Sequence, residues 1–230
     1  MSERLLPVHN GGDILPAYHA TPVADLLAYQ NLWKHSKAYS RAELVIGMCM
    51  DNRNVLRIPD NFAYILRAGG ANLRRIEFKL AYAVAVGGVR TLALIGHDKC
   101  GMVGLTKRRD EFVRGLAEHG GWTPEAARDY FDQNAPIFEI TDAAEFVRGE
   151  AQRLRRRFPG LLVAPLMYRI AEGTLYQIVE ETGSGAEFVN GRSDADLYAG
   201  PEIGRRNGWA RGLLHSIVRY REVWRGRRPS

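Results

Sequence analysis

Residues 90–100 read Arg-Thr-Leu-Ala-Leu-Ile-Gly-His-Asp-Lys-Cys, and this stretch decides the fold. Its first seven residues form a short apolar run, which predicts a buried β-strand. His97 and Cys100 follow at the carboxyl end of that strand. A second run of the same kind, residues 43–48, leads straight into Cys49. The sequence therefore places metal-binding side-chain types at the ends of two buried strands.

The segment between these strands predicts a helix. Over residues 73–86 the apolar positions fall on one stripe, and a Gly-Gly pair follows as a stop signal: Leu73, Ile76, Leu80 and Ala83, then Gly87 and Gly88. Strand, helix and strand make a right-handed βαβ unit with parallel strands. Parallel strands end at the same edge of a sheet, where ligand sites of open α/β folds lie, so Cys49 is expected to meet His97 and Cys100.

Further elements are expected after this unit. Short helices are predicted near residues 109–118 and 124–133. Asp142 and Glu145 resemble a capping box that opens another helix. The core-facing positions of that helix are Phe146, Val147, Ala151, Leu154 and Phe158. Residues 161–168 and 173–179 predict two strands of a hairpin that extends the sheet.

Length and composition favour a single domain. The chain has 230 residues, of which 46% are hydrophobic, enough for one sizeable core. We predict one α/β domain over residues 1–230, with a central, largely parallel sheet flanked by helices and an additional C-terminal helical segment. Its core spans about residues 40–180, between an N-terminal helical arm (1–40) and a basic C-terminal extension (183–230). The helix in that extension has one apolar face, formed by Trp209, Leu213, Ile217, Tyr220 and Trp224.

The net positive charge of the chain comes from the C-terminal extension. The formal net charge is +6, and residues 201–230 hold eight arginines and two glutamates, which supplies the entire excess. Such a tail can bind nucleic acid, an anionic membrane surface or an acidic subunit, but a solvated helix face is the commoner case. No nucleic-acid motif is present, so no nucleic-acid partner is expected. A secretory signal and an apolar run of about 18 residues are also lacking, so we predict a cytoplasmic protein without a membrane span.

The two cysteines suit a metal site. They are the only ones in the chain, 51 positions apart, which is ordinary for a reducing compartment. Taken singly, a cysteine after a strand is often a small buried hydrophobe, and a histidine near a turn is often a surface residue. Together, Cys49, His97 and Cys100 supply the three ligands of a catalytic zinc site and leave a fourth position for water.

Three motifs resemble the β-class carbonic anhydrases. They are Cys49-x-Asp51-x-Arg53, Arg67-Ala-Gly-Gly-Ala-Asn72 and Gly96-His97-x-x-Cys100-Gly101. The resemblance covers residues 40–105 well and residues 143–178 more loosely. It implies that Cys49, His97 and Cys100 hold zinc and that zinc-bound hydroxide attacks carbon dioxide to give bicarbonate, the reaction of a carbonate dehydratase (a lyase). It also implies a homo-oligomer, dimer or tetramer.

The resemblance further implies that Asp51 and Arg53 form a catalytic dyad. Arg53 can clamp the Asp51 carboxylate through two parallel N–H bonds, and the carboxylate can accept a hydrogen bond from the hydroxide. The alternative is an ordinary exposed loop pair. In relatives the same aspartate can instead rotate onto the zinc as a fourth ligand, and the sequence leaves open which state this chain adopts.

Substrate contacts are expected at Gly70, Gly101 and Phe62. For the glycines, a turn that needs positive φ is an equally good explanation. The Arg67–Asn72 run is one residue longer than the usual family run, so the substrate wall is expected to differ. Carbonyl sulfide or carbon disulfide is therefore an alternative substrate, and a non-catalytic zinc-stabilised binding protein that works through its basic C-terminal helix is a second alternative.

Overall fold

The computed structural model describes residues 5–35 and 37–179. The chain divides into two units, Met1–Thr182 and Gly183–Ser230, and every described residue belongs to the first. The arginine-rich tail and the apolar face predicted for residues 209–224 lie outside the described residues. The assignment of residues 1–230 to a single domain therefore stays a prediction.

A six-stranded sheet forms the centre of the described unit. Its strands are β1 (Leu5–Leu6), β2 (Leu44–Met48), β3 (Ala63–Arg67), β4 (Thr91–His97), β5 (Leu162–Arg169) and β6 (Thr174–Ile178), in the order β1-β6-β5-β4-β2-β3. The pairs β3–β2, β2–β4 and β4–β5 are parallel, whereas β5–β6 and β6–β1 are antiparallel. The predicted α/β class with a largely parallel sheet is confirmed, as is the terminal hairpin.

Five helices accompany the sheet in the described part of the chain. They are α1 (Pro22–Leu32), α2 (Glu77–Ala85), α3 (Arg109–Gly120), α4 (Pro124–Phe138) and α5 (Ala143–Arg157). Among the described residues, none of the helices has the length and apolar character needed to cross a lipid bilayer.

The two faces of the sheet bury separate apolar clusters, because side chains alternate along each strand. In β4, Leu92 and Leu94 join the cluster that contains buried residues of α2 and α5. Ala93 and Ile95 join the cluster on the other face, which contains buried residues of α1. Strands β2 and β4 are therefore covered on both sides, which explains their continuous apolar runs.

Helix α5 begins where the sequence predicts. The Asp142 side chain accepts hydrogen bonds from the backbone N–H groups of Ala144 and Glu145, both at 2.9 Å, and so caps the helix. Val147, Ala151 and Leu154 are buried as predicted. Phe146 and Phe158 are only partly buried against the same cluster.

Ion pairs connect α5 to α2. Arg153 contacts Glu77 at 2.6 Å and the buried Glu150 at 2.8 Å. Arg74 also contacts Glu150, at 3.2 Å, so the buried carboxylate is paired twice. A buried charge without such partners would be strongly destabilising.

Two features differ from the sequence-based expectation. Helix α2 begins at Glu77 rather than residue 73, because short 3-10 turns occupy Gly69–Ala71 and Arg74–Ile76. Strand β3 was not predicted, yet it pairs with β2 on the side away from β4. It is an edge strand with a partly exposed surface, so it lacks the continuous apolar run of a buried strand.

Candidate metal centre

The carboxyl ends of β2 and β4 bring the three predicted ligands together. Met48, the last residue of β2, pairs with Ile95 in β4, and Cys49 follows Met48 directly. His97 ends β4, and Cys100 follows in the turn after it. The Sγ atoms of Cys49 and Cys100 are 3.9 Å apart, and a ligand atom from each of the three side chains lies within 4.8 Å of the others.

The two ring nitrogens of His97 have different surroundings. Nδ1 lies 2.8 Å from the carbonyl oxygen of Asp98. This contact places the proton of the neutral ring on Nδ1 and leaves a lone pair on Nε2. Nε2 is buried and has no hydrogen-bond partner among the described residues. Asp98 is itself anchored, because its carboxylate accepts a hydrogen bond from Ile170 N–H at 2.8 Å.

The contact between the two sulfurs shifts the pKa values of the two thiols in opposite directions. The Cys100 thiol lowers the pKa of Cys49 to about 4, against the effect of burial, and His97 and the N–H groups of Asp51 and Gly70 lower it further. The contact with Cys49, together with burial, raises the pKa of Cys100. Burial lowers the pKa of His97, but its contact with Cys49 outweighs burial and the net change is upward. Of the two cysteines, Cys49 therefore loses its proton more readily than Cys100.

This donor set fits a zinc ion. Tetrahedral zinc with metal–sulfur bonds of about 2.3 Å places two sulfurs about 3.8 Å apart, and the observed separation is 3.9 Å. Buried polar atoms are normally hydrogen-bonded, and a cation bound in the cluster would give the unpartnered Nε2 of His97 a partner. Two thiol ligands and one imidazole suit zinc better than magnesium or calcium, which prefer oxygen.

Asp51 and Arg53 lie beside this cluster and pair with each other. Arg53 donates from Nε and Nη2 to the two carboxylate oxygens of Asp51, at 2.9 and 2.6 Å. A further bond, from Arg53 Nη2 to the carbonyl of Lys99, measures 3.1 Å. Asp51 Oδ2 stands 4.0 Å from His97 Nε2. The guanidinium holds the pKa of the Asp51 carboxyl well below its usual range, so the group is an anion at neutral pH.

Apolar side chains surround the sulfurs. Cys49 and Cys100 cluster with the buried Ile140 and with the partly buried Met102 and Phe146. On the outer side, an open groove of about 480 Å³ runs along the loop after β2, where Met50, Val55 and Ile65 are among its lining residues. Apolar side chains thus pack against the two sulfurs, while the charged Asp51–Arg53 pair lies beside His97.

The residues predicted to contact substrate occupy different places. The backbone N–H of Gly70 donates to Cys49 Sγ at 3.4 Å, and its φ of +63° suits glycine. Gly101 follows Cys100 directly, and a Cβ there would meet only Arg108 Nη1 at 4.0 Å. Phe62 is fully buried, with its ring against those of Tyr29 and Tyr39. The described packing places Phe62 in the core rather than in the cluster, and the substrate contacts of all three residues stay predictions.

Sequence reasoning missed two residues that hold the site. Asp98 orients His97 through its carbonyl group, and Arg67 contacts the loop after β2. A backbone carbonyl leaves no mark in the sequence, so the role of Asp98 had no signal beyond its place next to His97. Arg67 stood in one of the quoted motifs, but nothing in that motif indicated which atoms it contacts.

Comparison with solved structures shows the same fold in carbonic anhydrases. A β-carbonic anhydrase (isoform I) from Trichomonas vaginalis is 18% identical with a TM-score of 0.53, and the match covers 68% of this chain and 94% of that one. Carbonic anhydrases from Glaciozyma antarctica and Streptococcus mutans are 22% and 20% identical, each with a TM-score of 0.50 over 72% of this chain and 100% of the other. At these identities the similarity establishes the fold.

Comparison by sequence finds nothing further. No family model and no curated protein matches the chain.

Proposed function

We propose that this chain is a zinc enzyme that reversibly hydrates carbon dioxide to bicarbonate. The observation that carries the proposal is the convergence of Cys49, His97 and Cys100 around an unpartnered, buried Nε2, with the Asp51 carboxylate 4.0 Å from that nitrogen. The fold shared with carbonic anhydrases supports it.

The ligand residues would hold the ion and leave room for solvent. When bound, zinc supplies Lewis acidity, which lowers the pKa of water from 15.7 to about 7. Cys49, His97 and Cys100 fill three positions of a tetrahedral site. The N–H of Gly70 at Cys49 Sγ and the carbonyl of Asp98 at His97 Nδ1 fix the directions of two of these ligands.

Asp51 would orient the nucleophile. Its carboxylate is ionised and therefore accepts hydrogen bonds without donating any. An oxygen nucleophile that donates a hydrogen bond to the Asp51 carboxylate would have a lone pair turned toward the substrate carbon. Arg53 holds the carboxylate through two N–H bonds, so the acceptor does not swing away from this position.

The surroundings would suit an apolar substrate. Carbon dioxide carries no charge and no hydrogen-bond donor, and the apolar Ile140, Met102 and Phe146 pack around the sulfurs. Carbonyl sulfide and carbon disulfide are also linear and apolar. The packing therefore does not indicate which of these three molecules is the substrate, and an activity assay is needed to decide between them.

The test joins metal analysis to a hydration assay. We expect about one zinc per chain and stopped-flow hydration of carbon dioxide that disappears on chelation and returns with added zinc. Hydration that survives complete metal removal, or a fully zinc-loaded protein that hydrates nothing, contradicts the proposal. In the second case, release of hydrogen sulfide from carbonyl sulfide or carbon disulfide would identify a sulfur substrate, and its absence with both would leave a zinc-stabilised binding protein.

We also propose that the protein assembles as a homo-oligomer. Support comes from β3, an edge strand of the sheet that the described residues form, which exposes Tyr64 and Ile65. Phe78 and Tyr82 of α2 are exposed as well. Exposed apolar side chains next to a free strand edge commonly mark a protein interface. Light scattering of the purified chain should give a multiple of 25.8 kDa; a monomer at micromolar concentration contradicts this part of the proposal. The cytoplasmic location stays a prediction from the sequence.

A further inference from the structure

The Arg67 guanidinium donates hydrogen bonds to three backbone carbonyl groups in the loop that contains Asp51 and Arg53. This segment, residues 49–54, is called the dyad loop below. Arg67 Nη1 donates to the carbonyl oxygens of Cys49 at 3.0 Å and Asp51 at 3.3 Å. Its Nη2 donates to the carbonyl of Asn54 at 3.1 Å. The loop has left the β-sheet, so these carbonyls need partners other than strand neighbours.

The fold places Arg67 for this role. It is the last residue of the edge strand β3 and pairs with Met48, the last residue of β2. The pairing continues for one more bond, from Ala68 N–H to Met48 O at 3.0 Å. The guanidinium therefore lies beside the point where the chain leaves β2 and enters the dyad loop.

The loop is held on its other side by Arg53. That side chain bridges the Asp51 carboxylate and the carbonyl of Lys99, in the turn between His97 and Cys100. Arg53 fixes the carboxylate of Asp51, whereas Arg67 fixes its backbone. Loss of the Arg53 contact would free the carboxylate of Asp51, and loss of the Arg67 contact would free its backbone carbonyl.

We propose that Arg67 is a positioning residue for the dyad. By holding the backbone of the dyad loop, it keeps the Asp51 carboxylate beside His97 Nε2, and its own hydrogen bonds go to backbone carbonyls rather than to that carboxylate. Its catalytic consequence rests on the hydration activity proposed above. Its structural consequence, the order of the dyad loop, does not.

Metal binding should depend on Arg67 less than turnover does. Cys49 follows directly on the paired strand β2, and its sulfur also accepts the Gly70 N–H bond. Asp51 lies beyond the end of that strand and depends on the two arginines. Losing Arg67 therefore disturbs the orienting carboxylate more than the ligand set.

The test compares Arg67→Met and Arg67→Lys with Arg75→Met, an exposed arginine outside the dyad loop's contacts. Arg67→Met should keep about one zinc per chain and lower kcat about 10- to 100-fold with little change in KM. The kcat of Arg67→Lys should lie between those of Arg67→Met and the wild type, because one ammonium group cannot bind three carbonyls in the same geometry. Arg75→Met should have the zinc content, kcat and KM of the wild type.

Hydrogen exchange gives a second measurement that needs no activity. The N–H of Arg53 bonds to Asp51 Oδ1 at 2.9 Å and the N–H of Asn54 bonds to Asp51 O at 3.3 Å. Both amides should exchange faster in Arg67→Met and keep wild-type rates in Arg75→Met. Unchanged exchange, or wild-type kcat in an active enzyme, would overturn the inference. If the wild type hydrates no carbon dioxide, the proposed function fails, and the exchange rates still decide the role of Arg67.

Discussion

Cys100 and Asp51 lie close together but should respond differently to substitution. Cys100→Ser removes one of two sulfur ligands, so the purified protein should lose its metal and with it any hydration activity. Asp51→Asn keeps all three ligands and should retain metal while turnover drops by about 100-fold or more, because an amide can donate where the carboxylate must accept. Metal analysis and stopped-flow rates on the same samples measure both effects.

Asp60→Asn provides the matched control. Asp60 is exposed and lies outside the cluster, so the same change of carboxylate to amide should leave metal and turnover at wild-type levels. A zinc-loaded, active Cys100→Ser protein would contradict the assignment of the ligands. Wild-type turnover in Asp51→Asn would remove Asp51 from the mechanism.

At the residue scale, the sequence predicted that the three candidate ligands converge, but it did not predict the backbone groups that contact them. Cys49, His97 and Cys100 could be brought together because two apolar runs implied parallel strands with a common carboxyl edge. Gly70 and Asp98 act through a backbone N–H and a carbonyl. Nearly every residue has those groups, so only the folded chain reveals which of them meet a sulfur or an imidazole.

At the scale of elements, α5 packs closely against β4 at Gly96. A Cβ on Gly96 would lie 2.7 Å from Val147 Cγ2 and 3.3 Å from the backbone oxygen of Ala143. The side chain could adjust, but the backbone at the start of α5 would have to move. We expect Gly96→Ala to destabilise the fold by about 1–3 kcal/mol, measured by urea unfolding.

Gly115→Ala in α3 is the matched control for Gly96→Ala. A Cβ at Gly115 meets nothing within 4 Å, and alanine is favoured over glycine inside a helix by about 0.5–1 kcal/mol. Replacement of glycine by alanine should therefore raise the free energy of unfolding at position 115 and lower it at position 96. Equal effects of the two substitutions would show that the contact between α5 and β4 tolerates a methyl group.

Buried strands were predicted from their apolar runs, whereas the exposed edge strand was not. Strands β2 and β4 are buried throughout, and their apolar runs are visible in the sequence. Strand β3 exposes Tyr64 and Ile65. Its position at the sheet edge depends on its pairing with β2. Local periodicity of the sequence does not predict such a contact between distant residues.

At the scale of the whole molecule, stability should fall in acid partly through Glu77. Burial raises the pKa of Glu77, but ion pairs with Arg153 and Arg157 outweigh it and set the pKa below the ordinary value of 4.5. The folded state then binds its proton less readily than the unfolded state. The stabilisation is present above pH 4.5 and is lost as pH falls through the folded pKa.

A comparison of Glu77→Gln with the wild type measures this effect. The difference in melting temperature should be constant near neutral pH and should shrink below pH 4.5. In an Arg153→Met background, which removes the principal partner, the same substitution should have a smaller effect. A difference between Glu77→Gln and the wild type that does not depend on pH would rule out this contribution.

The overall architecture was predicted from periodicity, whereas the ion pairs that join its helices were not. The βαβ unit, the cap at Asp142 and the final hairpin each carry a local signal, and together they specify a parallel sheet. Ion pairs such as Glu77 with Arg153 join residues 76 positions apart, and charge alone does not tell which of many arginines is the partner.

The separation of the two sulfurs has a consequence for handling the purified protein. A disulfide bond measures about 2.0 Å, and the two Sγ atoms start 3.9 Å apart. In protein from which a chelator has removed the proposed zinc, hydrogen peroxide should take two electrons and two protons from the thiols, become two waters, and leave an intramolecular disulfide. Mass spectrometry should then show a loss of about 2 Da that a reductant reverses, so preparations made in air without reductant would resist remetallation.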